Sequence, residues 1–194
     1  MSTIAVSNPR RVLADAITSS RTADAVLVVS GAAFVGLLAQ VTIHLGFTPV
    51  PITGQTLGVL LVGTALGWRR ASLAMALYVV AGVVGVPWFA GHSSGVPMAT
   101  FGYLLGFVVA SAVLGWIASR GADRTVARAV SSMVIGEVII FAIAVPWLAF
   151  SLHVGLATAI SYGLTPFITG EVIKASVAGV ALPATWRLVD RTRR

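Results

Sequence analysis

The residues of this sequence best suited to chemistry are two charged side chains in an otherwise apolar stretch near the carboxyl end. Glu171 and Lys174 lie three positions apart, and Lys174 is the only lysine in the chain. Residues three apart share one face of an α-helix, so the carboxylate and the ammonium would point at the same polar target. Charged side chains inside a membrane segment are costly and usually mark a ligand or ion pathway. The pair is either an internal ion pair or a ligand site, and we predict a ligand site.

A second acidic residue, Glu137, lies in another apolar segment. Its carboxyl group could carry a proton, contact a partner helix or accept hydrogen bonds from neighbouring hydroxyl groups. The sequence favours a structural role and leaves the other roles open.

Motifs for other chemistry are missing or out of context. Residues 91–95 match the G-x-S-x-G pattern of serine hydrolases, but that pattern needs a strand, a tight turn and a helix, and an acid to orient a histidine. The single lysine is not preceded by the glycine that an ATP-binding P-loop requires. The histidines His44, His92 and His153 are too widely separated to suggest zinc, and there is no cysteine. We therefore predict no catalytic residue, no metal site and no cofactor.

The elements that must position these side chains are apolar helices. Hydrophobic residues make up 57% of the 194 residues and charged residues only 10%, with a mean hydropathy of +0.95. This composition is typical of an integral membrane protein. The formal charge of +7 comes without any nucleic-acid-binding motif, so no nucleic-acid partner is predicted.

The arginines show how the chain is arranged across the membrane. All twelve fall in four clusters, separated by three long apolar stretches. Each stretch is long enough for two spanning helices of roughly 20 residues, and short basic loops stay cytoplasmic. We predict an all-α bundle of six transmembrane helices with both termini cytoplasmic, and with spans near residues 25–45, 54–68, 71–86, 101–119, 130–150 and 165–183.

The regions outside the membrane domain are short. Residues 1–24 are predicted to form a cytoplasmic tail, in which the apolar positions from Val12 to Ile17 fit an interfacial helix. Residues 25–183 form the six-helix membrane domain, and residues 184–194 form a basic cytoplasmic tail. The apolar run after Asp24 is longer than the core of a signal peptide, so the first span is expected to be retained.

Six short motifs carry a family resemblance when taken together and in order. They are TPVPITGQTL at 48–57, LGWRR at 66–70, GVPWFAG at 85–91, GYLLGF at 102–107, PF at 166–167 and GEVIK at 170–174. This set, within roughly residues 25–183, closely resembles the BioY family, the biotin-binding S components of energy-coupling factor (ECF) transporters. The resemblance implies a biotin site near the outer face, under the loops joining spans one to two and three to four and against the start of the sixth span.

The resemblance also assigns residues to that site. Glu171 and Lys174 take the family's acid and lysine positions, although the acid is usually aspartate. The family's polar contact in the loop after the third span falls near Gly91 and His92. Biotin offers a ureido group, an apolar sulfur-containing ring and a carboxylate. Glu171 can accept the ureido N–H groups, and Lys174 can donate to the ureido carbonyl or attract the carboxylate, through charge-assisted hydrogen bonds.

Residues with less specific signals complete the predicted site. Trp88, Phe89 and Tyr103 either contact the biotin ring or belong to an ordinary aromatic belt at the membrane interface. Thr53 and Gln55 either complete the polar shell or cap the second helix.

The resemblance implies partners as well. A transmembrane coupling protein and two ATPase subunits would supply energy, with the chain a multi-pass protein of the cell membrane. In the first span, Ala32 and Gly36 resemble a small-residue surface for the coupling protein. The alternatives are an S component for a different vitamin and an intramembrane enzyme that uses Glu137 or Glu171.

Overall fold

The computed structural model describes residues 12–17 and 20–192, which are mostly helical. The α-helices in these residues are α1 (Leu13–Ile17), α2 (Arg21–Ala39), α3 (Gln55–Leu66), α4 (Trp68–Val83), α5 (Phe101–Ala118), α6 (Val126–Leu152), α7 (Leu156–Gly163) and α8 (Ile168–Thr192). Two short antiparallel strands, β1 (Thr42–Ile43) and β2 (Ile52–Thr53), pair between α2 and α3. Single 3-10 turns occur at Ala90–His92 and Thr165–Phe167.

Four helical segments among the described residues are long and apolar enough to cross a membrane. They are α2, α5, α6 and the run Leu156–Arg191, which covers α7 and α8 as far as Arg191. Each of the six spans predicted from the sequence coincides with a helix. However, α3 has 12 residues and α4 has 16, fewer than the roughly 20 that a perpendicular crossing needs. The fold is therefore that of a helical membrane protein with four candidate spans.

Two predicted boundaries differ from the structure because of tertiary contacts. The sequence predicts the first span at 25–45, but α2 ends at Ala39, since Gln40 caps the helix and the chain then enters β1. The last span was ended at 183, but α8 continues to Thr192 with Pro183 inside it. The indole of Trp186, in that added segment, is buried and donates to the carboxylate of Asp123.

The core is centred on α5, which packs against α3, α4 and α6. Helix α6 also packs against α7 and α8, and α2 packs against α3 and α4. Large side chains such as those of Tyr78, Met75 and Ile140 are completely buried in this core. Many apolar side chains point outward instead, and Leu37 is 70% exposed. This outward apolar surface is suited to lipid rather than to water.

A glycine allows the close packing of α3, α4 and α5. Gly67 is the single residue between α3 and α4, with a φ of 79° that favours glycine. Gly115 on α5 faces this junction, where an added Cβ would lie 2.2 Å from the backbone nitrogen of Trp68. The two shorter helices are thereby held as one tight hairpin against α5.

Candidate functional site

The predicted site residues surround a small cavity enclosed by α3, α5, α6, α8 and the loops after β1 and α4. The cavity measures about 70 Å³. Five of the eight residues predicted to bind ligand line it, namely Thr53, Gln55, Phe89, Tyr103 and Glu171. Lys174 lies directly behind the lining, while Gly91 and His92 are not among the lining residues.

A dense polar network forms one wall of the cavity. The Lys174 ammonium donates to Glu171 Oε1 at 2.8 Å, to the Thr53 carbonyl oxygen at 2.6 Å and to Thr56 Oγ1 at 2.9 Å. The Thr56 hydroxyl in turn donates to Glu171 Oε2 at 2.7 Å. An ammonium has three N–H donors, so Lys174 is fully paired within the chain. Any ligand that contacts Lys174 must replace one of these three bonds.

The start of α3 brings this network together with the cavity. Thr53 ends β2 and Thr56 lies in the first turn of α3, and both contact the pair of Glu171 and Lys174 near the start of α8. Glu171 is 7% exposed, which leaves the ion pair largely out of solvent. In so dry an environment each charge depends on its partner, because an unpaired buried ion is strongly destabilising.

A second chain of hydrogen bonds holds Gln55. Its amide nitrogen donates to the Tyr78 hydroxyl at 2.8 Å, and its amide oxygen accepts from Thr53 Oγ1 at 2.9 Å. The Tyr78 hydroxyl donates onward to the Trp88 carbonyl oxygen at 3.2 Å. The side chain of Gln55 is therefore oriented by α4 and by the loop after α4. The backbone N–H of Gln55 also donates to Thr53 Oγ1, so Thr53 contributes to the start of the helix as well as to the cavity.

Aromatic rings form much of the rest of the lining. Phe89 is buried, and its ring fills the space over Gly82 and meets Tyr78 edge to face at 5.3 Å. Tyr103 donates its hydroxyl to the carbonyl oxygen of Gly163 and meets Phe141 edge to face at 6.0 Å. Trp88, predicted with these two, lies outside the lining and packs against Tyr78. The remaining aromatic lining residues are Phe107, Phe141 and Phe167.

The loop that contains Gly91 and His92 is fixed to the end of α2 by Gln40. The Gln40 amide nitrogen donates to the carbonyl oxygens of Trp88 and Phe89, at 3.1 and 3.3 Å. Its amide oxygen accepts the backbone N–H of His92 at 3.0 Å. Gly91 and His92 have positive φ angles and are exposed beside the cavity. Their contact with a ligand stays a prediction.

Ala32 and Gly36, predicted to form a partner surface, face the inside of the chain. Ala32 is completely buried, and an added Cβ on Gly36 would lie 3.3 Å from the Trp88 ring. A partner helix could reach Gly36 only after the Trp88 loop had moved. The partner contact stays a prediction with this added requirement.

The sequence did not single out several residues of the site. Thr56, Phe141 and Gln40 are the three whose contacts matter most. The nearest signal for Thr56 was its spacing of three from Thr53, and for Gln40 its position as a polar residue closing an apolar run. Phe141 carried no signal, because a phenylalanine in an apolar helix is most often a packing residue.

A second, larger opening gives access to the Glu171 carboxylate from another side. A groove of about 520 Å³ runs between α6, α7 and α8, and its lining is apolar except for Glu137 and Glu171. Phe141 and Glu171 belong to both linings, so they separate the groove from the cavity. Within residues 12–17 and 20–192, no three His, Cys, Asp or Glu side chains are placed to hold a metal ion.

The chain is similar in sequence to one known family and to individual proteins of that family. A model of the BioY family matches residues 10–191. The biotin transporter BioY2 of Lactococcus lactis subsp. cremoris (strain MG1363) is 34% identical over 171 residues, covering 87% of this chain and 92% of that protein. The biotin transporter BioY of Thermotoga maritima is 37% identical over 145 residues, covering 73% of this chain and 83% of that protein.

A solved structure shares the fold. The crystal structure of the S-component for biotin from an ECF-type ABC transporter superposes with a TM-score of 0.77 at 20% identity. The match covers 88% of this chain and 95% of that one.

Proposed function

The chain belongs to the BioY family, and on that basis we propose that it binds biotin in the membrane as the uptake component of a vitamin transporter. The relatives that it matches over most of their length are biotin transporters. It is a transport protein and not an enzyme, because the family is one of transporter components. Its helices are apolar enough for a membrane location, and we propose the cell membrane.

The observation that carries the ligand proposal is the buried network of Glu171, Lys174 and Thr56 at the wall of an aromatic cavity. Biotin has an apolar bicyclic body that suits aromatic walls, and polar groups at both ends. The Glu171 carboxylate can accept the ureido N–H groups, and the Lys174 ammonium can donate to the ureido carbonyl or to the valerate carboxylate. These are charge-assisted hydrogen bonds, which are stronger than neutral ones. Thr53, Gln55, Phe89 and Tyr103 complete the proposed contacts.

Biotin can enter only if the site opens. Small-molecule sites usually enclose about 300–1,000 Å³, whereas this cavity has about 70 Å³. The loop after α4 contributes Phe89, Ala90, Ser93 and Pro97 to the enclosure, and the Gln40 side chain holds this loop in place. We propose that this loop moves outward to admit the ligand and brings Gly91 and His92 towards it on closing.

The positions of the arginines support a proposed arrangement in the membrane. We propose six crossings with both termini cytoplasmic, in which α3 and α4 cross as the tight hairpin joined at Gly67. The chain holds no ATP-binding motif in its sequence, so energy would come from a transmembrane coupling protein and two ATPase subunits. Ala32 and Gly36 remain the proposed coupling residues, reached after movement of the Trp88 loop.

Titration of the purified full-length chain with biotin tests the function. The expected result is saturable binding of one biotin per chain, measured by calorimetry or by the change in fluorescence of Trp88 and the other tryptophans. Unlabelled biotin should compete and other vitamins should not. Binding of another vitamin in preference to biotin would overturn the proposal, and so would chemical conversion of the bound biotin.

A further inference from the structure

Glu137 is a buried acid that the proposed biotin contacts do not use. It lies on α6 and is 8% exposed, at the floor of the groove between α6, α7 and α8. Both of its carboxyl oxygens are buried and accept no hydrogen bond from any group that the structure describes. The rest of the groove lining, apart from Glu171, is apolar. An ionised carboxylate in such a place would be strongly destabilising, because nothing replaces its lost hydration.

The groups around Glu137 explain how its carboxyl group is accommodated in the apolar groove. The groove lining also includes the carboxyl group of Glu171 on α8, which pairs with the Lys174 ammonium. Among the other elements packed against α6, α3 contains no titratable side chain, α5 contributes Tyr103, which lines the cavity together with Glu171, and α7 contains Tyr162. Glu171 already accepts the Lys174 ammonium and the Thr56 hydroxyl, as an ionised carboxylate does. Two carboxyl groups in one apolar groove disfavour ionisation of both, so one of them keeps a proton, and Glu137 is the one that accepts no hydrogen bond.

We propose that Glu137 is a positioning residue of the ligand site, held in its protonated form so that its O–H donates to the Glu171 carboxylate. This inference rests on the proposed function. When biotin draws Lys174 away from Glu171, the Glu171 carboxylate loses its counter-ion and one hydrogen bond. The O–H of Glu137 then keeps that carboxylate satisfied from the groove side and oriented into the cavity. The donor therefore matters most in the bound state.

Two substitutions of nearly equal size separate this role from simple packing. Glu137→Gln keeps an N–H donor at the same place and cannot ionise, whereas Glu137→Met keeps the shape and removes the donor. The expected result is that Glu137→Gln binds biotin within about twofold of the original chain, while Glu137→Met binds at least tenfold more weakly. Glu137→Met should still fold, because an apolar side chain suits the apolar groove. A thermal melt of the empty protein checks this.

The pH profile gives a readout that packing alone would not change. As the pH is raised towards about 9, where buried glutamates are known to lose their proton, biotin affinity of the original chain should fall. The affinity of Glu137→Gln should stay level. An infrared band of a protonated carboxyl group should be present in the original chain and missing from Glu137→Gln.

The outcomes are distinguishable from failure of the proposed function. If the original chain bound no biotin at any pH, the function itself would be wrong. If it bound biotin, three results would each overturn the role of Glu137: Glu137→Met with unchanged affinity, Glu137→Gln as weak as Glu137→Met, or no protonated-carboxyl band assignable to Glu137.

Discussion

Glu171 and Lys174 are the residues on which the proposed function depends most. We expect Glu171→Gln and Lys174→Met each to weaken biotin binding at least tenfold, equivalent to about 1.4 kcal/mol. Each removes one end of the charge-assisted contacts proposed for the ligand. Lys174→Met should also lower the melting temperature of the empty protein, because it leaves the Glu171 carboxylate buried without its counter-ion. Equilibrium binding and thermal melts of the purified variants provide both measurements.

The double variant Glu171→Gln, Lys174→Met is the control for this experiment. It leaves no stranded charge, so the empty protein should regain stability relative to Lys174→Met. If the pair contacts biotin, the double variant binds no better than the weaker single one. A stable double variant with the original affinity would show that the pair is structural only.

At the residue level, spacing predicted more of the site than composition did. The separation of three between Glu171 and Lys174 placed both on one face of a helix, and the structure joins them at 2.8 Å. The same rule gives no preference among threonines, so Thr56, which bonds to both, could not be selected from the sequence. Its role comes from the packing of α3 against α8, a long-range contact that local pattern does not encode.

Among the elements, the contact between α2 and the loop after α4 leads to a changed expectation for Gly36. The pattern of small residues alone predicts that a larger residue there would impair partner assembly only. Because Gly36 lies under the Trp88 ring, Gly36→Leu should displace that ring and the loop held by Gln40. We expect a lower melting temperature and weaker biotin binding. The matched control is Ala33→Leu, on the exposed side of α2, which should leave both nearly unchanged.

Co-purification with the coupling protein separates the two interpretations of Gly36. If Gly36→Leu melted and bound biotin like the original chain but failed to assemble, Gly36 would be a docking residue, as the sequence pattern predicts. Loss of stability in Gly36→Leu together with normal behaviour of Ala33→Leu would support the internal role.

The connection between α5 and α6 is tied to the end of α8 by Asp123. This residue is completely buried, and its carboxylate accepts the Trp186 indole N–H and lies 3.6 Å from the Arg124 guanidinium. Burial raises the pKa of the Asp123 carboxyl above its ordinary value, and the Trp186 and Arg124 contacts offset only part of the rise. The folded state therefore binds this proton more tightly than the unfolded state does, so the stability of the fold falls as the pH rises through the pKa of this carboxyl.

Asp123→Asn should remove this loss of stability while keeping an oxygen to accept from Trp186. We expect the variant to melt at a higher temperature than the original chain at neutral pH. The difference should shrink as the pH is lowered, because the folded original chain takes up this proton at a higher pH than the unfolded chain does. Thermal melts of both proteins at a series of pH values measure this difference in melting temperature. A difference that did not vary with pH would contradict the assignment.

The elements themselves were predictable to different degrees. Apolar stretches between arginine clusters located a helix for each predicted span. Helix ends were less predictable, because α2 ends where β1 pairs with β2 and α8 is extended through the contact of Trp186 with Asp123. Helix α7 lies in a stretch predicted as an outer turn, and its glycine and serine content gave no indication of helix.

For the whole molecule, the distribution of arginines predicts which loops face the cytoplasm. The chain has no cysteine, so single cysteines report topology without background. We expect Ser94→Cys to be labelled by a membrane-impermeant maleimide on intact cells and Ala122→Cys to be protected. Both should react after the cells are permeabilised. Labelling at position 122 and protection at position 94 would reverse the proposed orientation.

The family was predictable at this scale because several weak motifs recur in a fixed order, and the resemblance to the BioY family is confirmed by the family model. The volume of the cavity could not be predicted from the sequence. The near closure of the cavity depends on how Phe89, Tyr103 and Phe141 pack together, which a linear pattern does not specify.

The complete pairing of Lys174 within the chain has a consequence for the return half of a transport cycle. A carrier that has released its cargo must bring its empty site back through a medium in which a bare charge is very costly. Here the empty site neutralises itself, since the ammonium and the Glu171 carboxylate bond to each other and to Thr53 and Thr56. The unloaded protein therefore carries no unbalanced charge from this pair on its way back. Membrane voltage should then affect the movement of the ligand-bound protein, through the carboxylate of the ligand. It should have almost no effect on the return of the empty protein.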